Sequence, residues 1–160
     1  MAIFAKYGTV KGNATHGTHK DWMDILTFDW GLERAISTPS QSAAKRMASE
    51  TVVFDVTLTK ALDEASASLL MEAFTKKSSA HLEVHQVATH LDNVNVAEYI
   101  FRNAMVTRYT TNSSGDRPIE TISFNFTKLE FCFTIMDEDG KTKPVTGEYD
   151  LALARQMGNL

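Results

Sequence analysis

The sequence predicts an antiparallel β-barrel with one flanking α-helix, on three observations. Segments of alternating apolar and polar residues recur from end to end, the mark of strands with one buried face. One segment alone carries apolar residues at three- and four-residue spacing, as an amphipathic helix does. No internal repeat or linker divides the 160 residues, a length that suits one core, so residues 1–160 are read as a single domain.

From Asp24 to Leu32 the even positions Leu26, Phe28, Trp30 and Leu32 are large and apolar, and Thr27, Asp29, Gly31 and Glu33 stand between or beside them. Ala35 to Glu50 follows, rich in Ser, Ala and Gln around Pro39; a structureless connection of that length is uncommon in a compact domain and is usually functional or disordered. Val52, Phe54, Val56 and Leu58 then alternate with Val53, Asp55, Thr57 and Thr59. Leu62, Ala65, Leu69, Leu70, Ala73 and Phe74 form the helical stripe. Asp63 or Ser66 can cap its first turn, and Lys76 and Lys77 suit the negative end of its dipole. His81 to His85 alternates again, with histidines on the polar side.

Val96 to Tyr109 carries apolar groups on both faces, which predicts a strand covered twice, by the core and by a helix or a neighbouring subunit. Ser-, Asn- and Gly-rich residues 112–118 break the chain before the next strand. Between Thr121 and Ile135 the apolar phase moves from even to odd positions, which predicts a bulge near Thr127 or Lys128. Asp139-Gly140 marks a hairpin, and Val145, Tyr149, Leu151 and Leu153 form the last alternating run.

Composition narrows the function. Twenty acidic and sixteen basic side chains give a net charge of −4. A nucleic-acid partner would need clustered cations, and so would an anionic membrane surface; neither is expected. One cysteine, Cys132, excludes an intrachain disulfide and a thiolate zinc cage. The opening residues lack the apolar stretch of a signal peptide, so the general secretory route is not expected.

Candidate chemistry is sparse. His16 and His19 could share an ion in a loop, whereas His81 and His85 lie about 13 Å apart by strand rise, too far for one ion. The acidic tip at residues 137–139 lacks the spaced oxygens of a calcium loop and reads as a hairpin end. Cys132 has no nearby base, and neither a Gly-x-Ser-x-Gly elbow nor a phosphate-cradling glycine loop occurs. No enzyme, metal or cofactor is expected. Trp22 and Trp30 could stack a sugar or base, but Trp30 belongs to an apolar strand face. The two-faced strands are unexplained by a monomer and point to an oligomer.

Three blocks carry a family resemblance. Val10 to Thr15, with His19, Trp22 and the run Ile25 to Gly31, resembles the opening of the haemolysin-coregulated protein (Hcp) family. Val56 to Ser66 with Leu69 is similar to its strand-to-helix junction, and Glu120 to Leu129 to its late strand. Ala67 stands where many relatives carry proline, and Gly147, Tyr149 and Asp150 only echo a terminal Gly-Trp-Asp. The resemblance implies the inner-tube subunit of a type VI secretion system, without enzymatic activity. Its barrels would form six-membered rings that stack into a hollow tube, propelled by a contractile sheath and capped by a VgrG-type spike protein. Such a protein is made in the bacterial cytoplasm and exported through the apparatus, with effectors in the lumen, to the extracellular space or a target cell.

On this reading Thr27, Asp29 and Glu33 are the lumen- and cargo-facing candidates, because the opposite strand face fills the barrel. Ser37, Thr38, Pro39, Ser40, Gln41, Ser42, Lys45 and Arg46 are candidates for a loop that reaches the adjacent ring. Two other readings stay open: a monomeric barrel binding a small apolar ligand, lined by Phe28, Phe54, Phe124 and Phe126, and a phage-like tail-tube protein.

Overall fold

A computed structural model describes residues 1–37, 47–75, 80–89, 94–113, 115–136, 141–153 and 155–156. In chain order the strands are β1 (Ala2–Tyr7), β2 (Met23–Ile25), β3 (Thr27–Asp29), β4 (Leu32–Glu33), β5 (Ile36–Ser37), β6 (Met47–Ala48), β7 (Val52–Val53) and β8 (Val56–Ala61). The helix α1 (Ala65–Phe74) follows. After it come β9 (Ala80–Ala88), β10 (Val94–Asn112), β11 (Ile119–Asn125), β12 (Lys128–Met136), β13 (Thr142–Asp150) and β14 (Arg155–Gln156). All described pairings are antiparallel.

The pairings run in a circuit. β10 pairs with β9, β9 with β1, β1 with β2, and β3 with β8, which returns through β11 to β10. Leu26 alone separates β2 from β3, and its amide donates to the Thr59 carbonyl at 2.7 Å, so the two behave as one kinked strand. β12, β13 and β14 extend from the N-terminal half of β10. Inside the circuit lie Met23, Val56, Leu58, Leu69, Leu82, Val84, Phe101, Ile122 and Phe124, all nearly without solvent contact. Phe101 and Phe124 occupy the space a ligand-binding barrel would leave open.

β10 belongs to two sheets, as its two apolar faces require. Residues 97–102 pair with β12, and residues 105–112 pair with β11. The turn between the halves falls at Asn103, whose φ of 54° is a left-handed conformation that asparagine tolerates better than most residues. Opposite it, β11 ends at Asn125 and β12 starts at Lys128. The expected bulge is therefore a full strand break. Thr127 holds the corner: its amide donates to Arg102 O at 3.2 Å, and its hydroxyl accepts from Asn103 Nδ2 at 2.8 Å. The phase change reads as expected, with Phe124 and Phe126 buried before the corner and Leu129 after it.

Four local expectations are corrected. The run from Asp24 to Leu32 is three short strands; Met23 and Ile25 are buried, whereas Leu26 is 57% and Leu32 58% exposed. The phase flips at Leu26 because β2 faces β1 while β3 faces β8. Residues 35–50 are no plain loop: within them β5 pairs with β6, and with β4 and β7, which pair just outside, they form the stem of a hairpin arm. Val52 and Phe54 belong to this arm and are exposed, unlike Val56 and Leu58. The last long strand ends at Asp150, and Leu151 and Leu153 lie in a turn.

The helix stripe is only half buried. Ala65, Ser66 and Leu69 face the core, while Leu70, Met71, Ala73 and Phe74 are exposed. Asp63 Oδ1 accepts the Ala65 amide at 2.9 Å, the capping role its position allows. Lys76, Lys77 and the acidic hairpin tip at residues 137–140 lie outside the described residues; the strands flanking that tip pair from Met136↔Thr142.

Candidate interaction surfaces

A buried ionic cluster fixes the helix to the sheet. On β8 and β11 the core-facing positions continue from Val56 and Leu58 to Lys60, and from Phe124 and Ile122 to Glu120. Both side chains are without solvent contact, and Lys60 Nζ lies 2.9 Å from Glu120 Oε2. Lys60 Nζ also donates to Ser66 Oγ at 3.1 Å and reaches Asp63 Oδ1 at 2.6 Å, at the head of α1. Ser66 Oγ donates to Glu120 Oε2 at 2.7 Å, and the Tyr109 hydroxyl donates to Oε1. Burial alone would raise the Glu120 carboxyl; hydrogen bonds from Tyr109, Lys60 and Ser66 outweigh it and hold the group below its ordinary value. Burial and the same carboxylate push Tyr109 up to about 12.

At the loop before β2, His16 and His19 meet His85, which comes from β9. His19 Nε2 lies 2.8 Å from His85 Nδ1, and His19 Nδ1 lies 3.3 Å from His16 Nδ1. Phe4 stacks on His19, Trp22 packs edge-on against it, and His19 is buried. Burial, then the neighbouring His85 and His16, lower His19 to about 4; burial also lowers His85, against the pull of Glu98 and Glu83. Among the described residues no three His, Cys, Asp or Glu side chains are placed to hold a metal ion. His81 points elsewhere, with Nε2 3.3 Å from Arg102 Nη1. Burial raises the Cys132 thiol, with Glu98 adding to the effect.

The outward face of β3, β8 and β11 is hydroxyl-rich. Thr27 and Asp29 are exposed on β3 and pair with Thr59 and Thr57, which in turn pair with Thr121 and Ser123. Glu33 is also exposed, but on β4, opposite Val52 in the arm, so it does not share one ladder with Thr27 and Asp29. Of the stacking-loop candidates, Ser37 ends β5. Thr38, Pro39, Ser40, Gln41, Ser42, Lys45 and Arg46 lie outside the described residues.

Exposed apolar side chains cluster on the arm (Leu32, Ile36, Val52, Phe54), on α1 (Leu70, Met71, Phe74) and on β12–β13 (Ile135, Met136, Tyr149), with Met1, Leu26, Leu62, Met105 and Leu153 exposed outside these clusters. Sequence reasoning anticipated apolar groups on the outside of β10 but missed those of the helix. It also missed the ionic cluster, although a charged residue at a core-phase position on each of two strands was a readable signal.

The fold defines a class: an antiparallel β-circuit with one packed helix, a hairpin arm and apolar groups turned outward. Residues 4–133 match the family model described as type VI secretion system effector, Hcp. The chain belongs to the Hcp family of type VI secretion proteins. It is 27% identical over 145 residues to protein hcp1 of Pseudomonas aeruginosa, covering 86% of each chain. Its fold is similar to that of a solved type six secretion system protein, with a TM-score of 0.88, 23% identity, and 98% of this chain and 99% of that one covered. Hcp1 of Salmonella typhimurium shares the fold at a TM-score of 0.79 and 18% identity, with 98% of each chain covered.

Proposed function

We propose that this chain is the ring-forming subunit of the type VI inner tube. Six copies close into a ring, rings stack through the arm, and the tube leaves the cell with cargo inside it. The sheath drives it and a VgrG-type spike caps it. Family membership supports the tube; the outward apolar residues carry the assembly reading. Phe74 is 75% exposed and Met71 57%, next to Leu70 on one helix, and a second copy would remove them from water. The interior packing of Phe101 and Phe124 counts against the small-ligand barrel.

The lumen is assigned to the face bearing Thr27 and Asp29, with Glu33 at its margin. That face offers hydroxyls and a carboxylate and lets polypeptide cargo pass without an apolar trap. The stacking role proposed for residues 37–46 is supported by the arm stem, whose two short ladders lead to Ser37 and back from Met47. Replacing residues 38–46 by a two-residue Asn-Gly turn is expected to leave ring mass unchanged and to abolish tubes in negative-stain micrographs. Loss of the rings, or tubes of normal length, would contradict this role.

A further inference from the structure

Where the arm leaves the hydroxyl-rich face, Asp29, Trp30, Gly31, Phe54, Asp55 and Thr57 enclose a cleft of about 280 Å³. Ligand sites for drug-sized molecules run to roughly 300–1,000 Å³, so this cleft suits a single side chain. The ladder places its walls: Asp29 lies opposite Thr57, and the Phe54 amide donates to Gly31 O at 2.9 Å, which brings Asp55 beside Gly31. Gly31 borders open space, since a Cβ there would meet only the Phe54 ring, at 4.0 Å.

Among the described residues, no cation forms an ion pair with the carboxylates of this cleft. Asp55 Oδ2 accepts from the Thr107 hydroxyl at 2.7 Å and Oδ1 from Asn125 Nδ2 at 2.8 Å. These neutral donors orient the carboxylate without cancelling its charge. Neither Asp29 nor Asp55 joins a salt bridge among the described residues. Beside them, half-exposed Phe54 and half-buried Trp30 add aromatic surface. Two carboxylates beside two aromatic residues match a planar guanidinium, which stacks on aromatic rings and takes carboxylates through a fork of N–H donors. A compact, strongly hydrated ammonium uses the rings less well.

We propose that this cleft receives an arginine side chain of polypeptide cargo. This rests on the reading that the Asp29 face lines the lumen, and it gives that face a recognition chemistry: cargo is held through exposed arginines, weakly enough to be released.

The test uses full-length protein labelled with 5-fluorotryptophan, whose Trp30 and Trp22 resonances are told apart with a Trp22→Phe variant. The probe is the blocked tripeptide acetyl-Gly-Arg-Gly-amide, with its citrulline counterpart as the neutral control. The Trp30 resonance is expected to move saturably with the arginine peptide alone while Trp22, packed on His19 and His85, stays still. Asp29→Asn and Phe54→Leu are each expected to weaken binding about five-fold and to leave the native mass unchanged. No movement of Trp30, or equal movement with citrulline, would overturn the proposal. So would a fall in native mass in either variant, which would make the occupant a neighbouring copy. The titration reads the cleft whether or not the unmodified protein forms rings, so failure of the cleft and failure of the ring reading are distinguishable.

Discussion

Lys60 and Glu120 are charges in a core, held there because each completes the other's hydrogen bonding and both grip the head of α1. Removing one partner leaves the other buried and unpaired. Glu120→Gln is therefore expected to lower unfolding stability by about 3 kcal/mol in urea titrations, within the range for a broken buried pair. The double change Lys60→Met with Glu120→Leu should cost less than the sum of the two single changes. Equal, additive losses would mean that the pair acts through packing alone.

Acid should act at the histidine cluster. His19 and His85 are held neutral in the folded chain, so the unfolded chain binds more protons as the pH drops below the ordinary imidazole value of 6.5. Their contribution to stability is complete above pH 6.5 and is lost as the pH falls towards about 4. The depressed Glu120 carboxyl acts in the same direction at lower pH. The urea midpoint is expected to fall steadily from pH 7 to pH 4.5, and His19→Phe, which packs on Phe4 and Trp22 without a proton to gain, should flatten that slope. An unchanged slope would remove the cluster from the account.

Among the elements, the central strands were the most legible. β8 and β11 alternate cleanly because each turns one face to a packed core, and β10 is marked by apolar groups on both of its faces. Short elements misled for the same physical reason. Period two identifies a face, not the neighbour that covers it, so the switch of partner at Leu26 and the exposure of Leu32 and Phe54 could not be read locally. The arm stem was missed because two-residue strands carry too few positions to show a period.

The helix shows the converse case. Its stripe was legible, yet one edge packs on the molecule and the other does not. Phe74→Glu is accordingly expected to change the urea unfolding free energy by no more than about 0.5 kcal/mol, as for an ordinary surface position. The same change should lower the mass seen in sedimentation. A large loss of stability would show that this edge is covered within the chain.

At the scale of the molecule, the family follows from blocks spread along the chain, and the fold match covers nearly all of it. Much of the candidate surface was less legible. Asp29 and Thr27 were readable from alternation, but the cleft between Asp29 and Asp55 joins two strands that only the fold brings together. His19 and His85, 66 positions apart, are another such meeting.

The most direct measurement is the native mass by sedimentation across protein concentrations. A chain of 17.8 kDa with apolar clusters turned outward on the arm, on α1 and on β12–β13 should sediment as a six-membered species near 106.8 kDa, seen as open annuli in micrographs. A stable species of 17.8 kDa at every concentration would contradict the ring, and with it the lumen and the stacking arm.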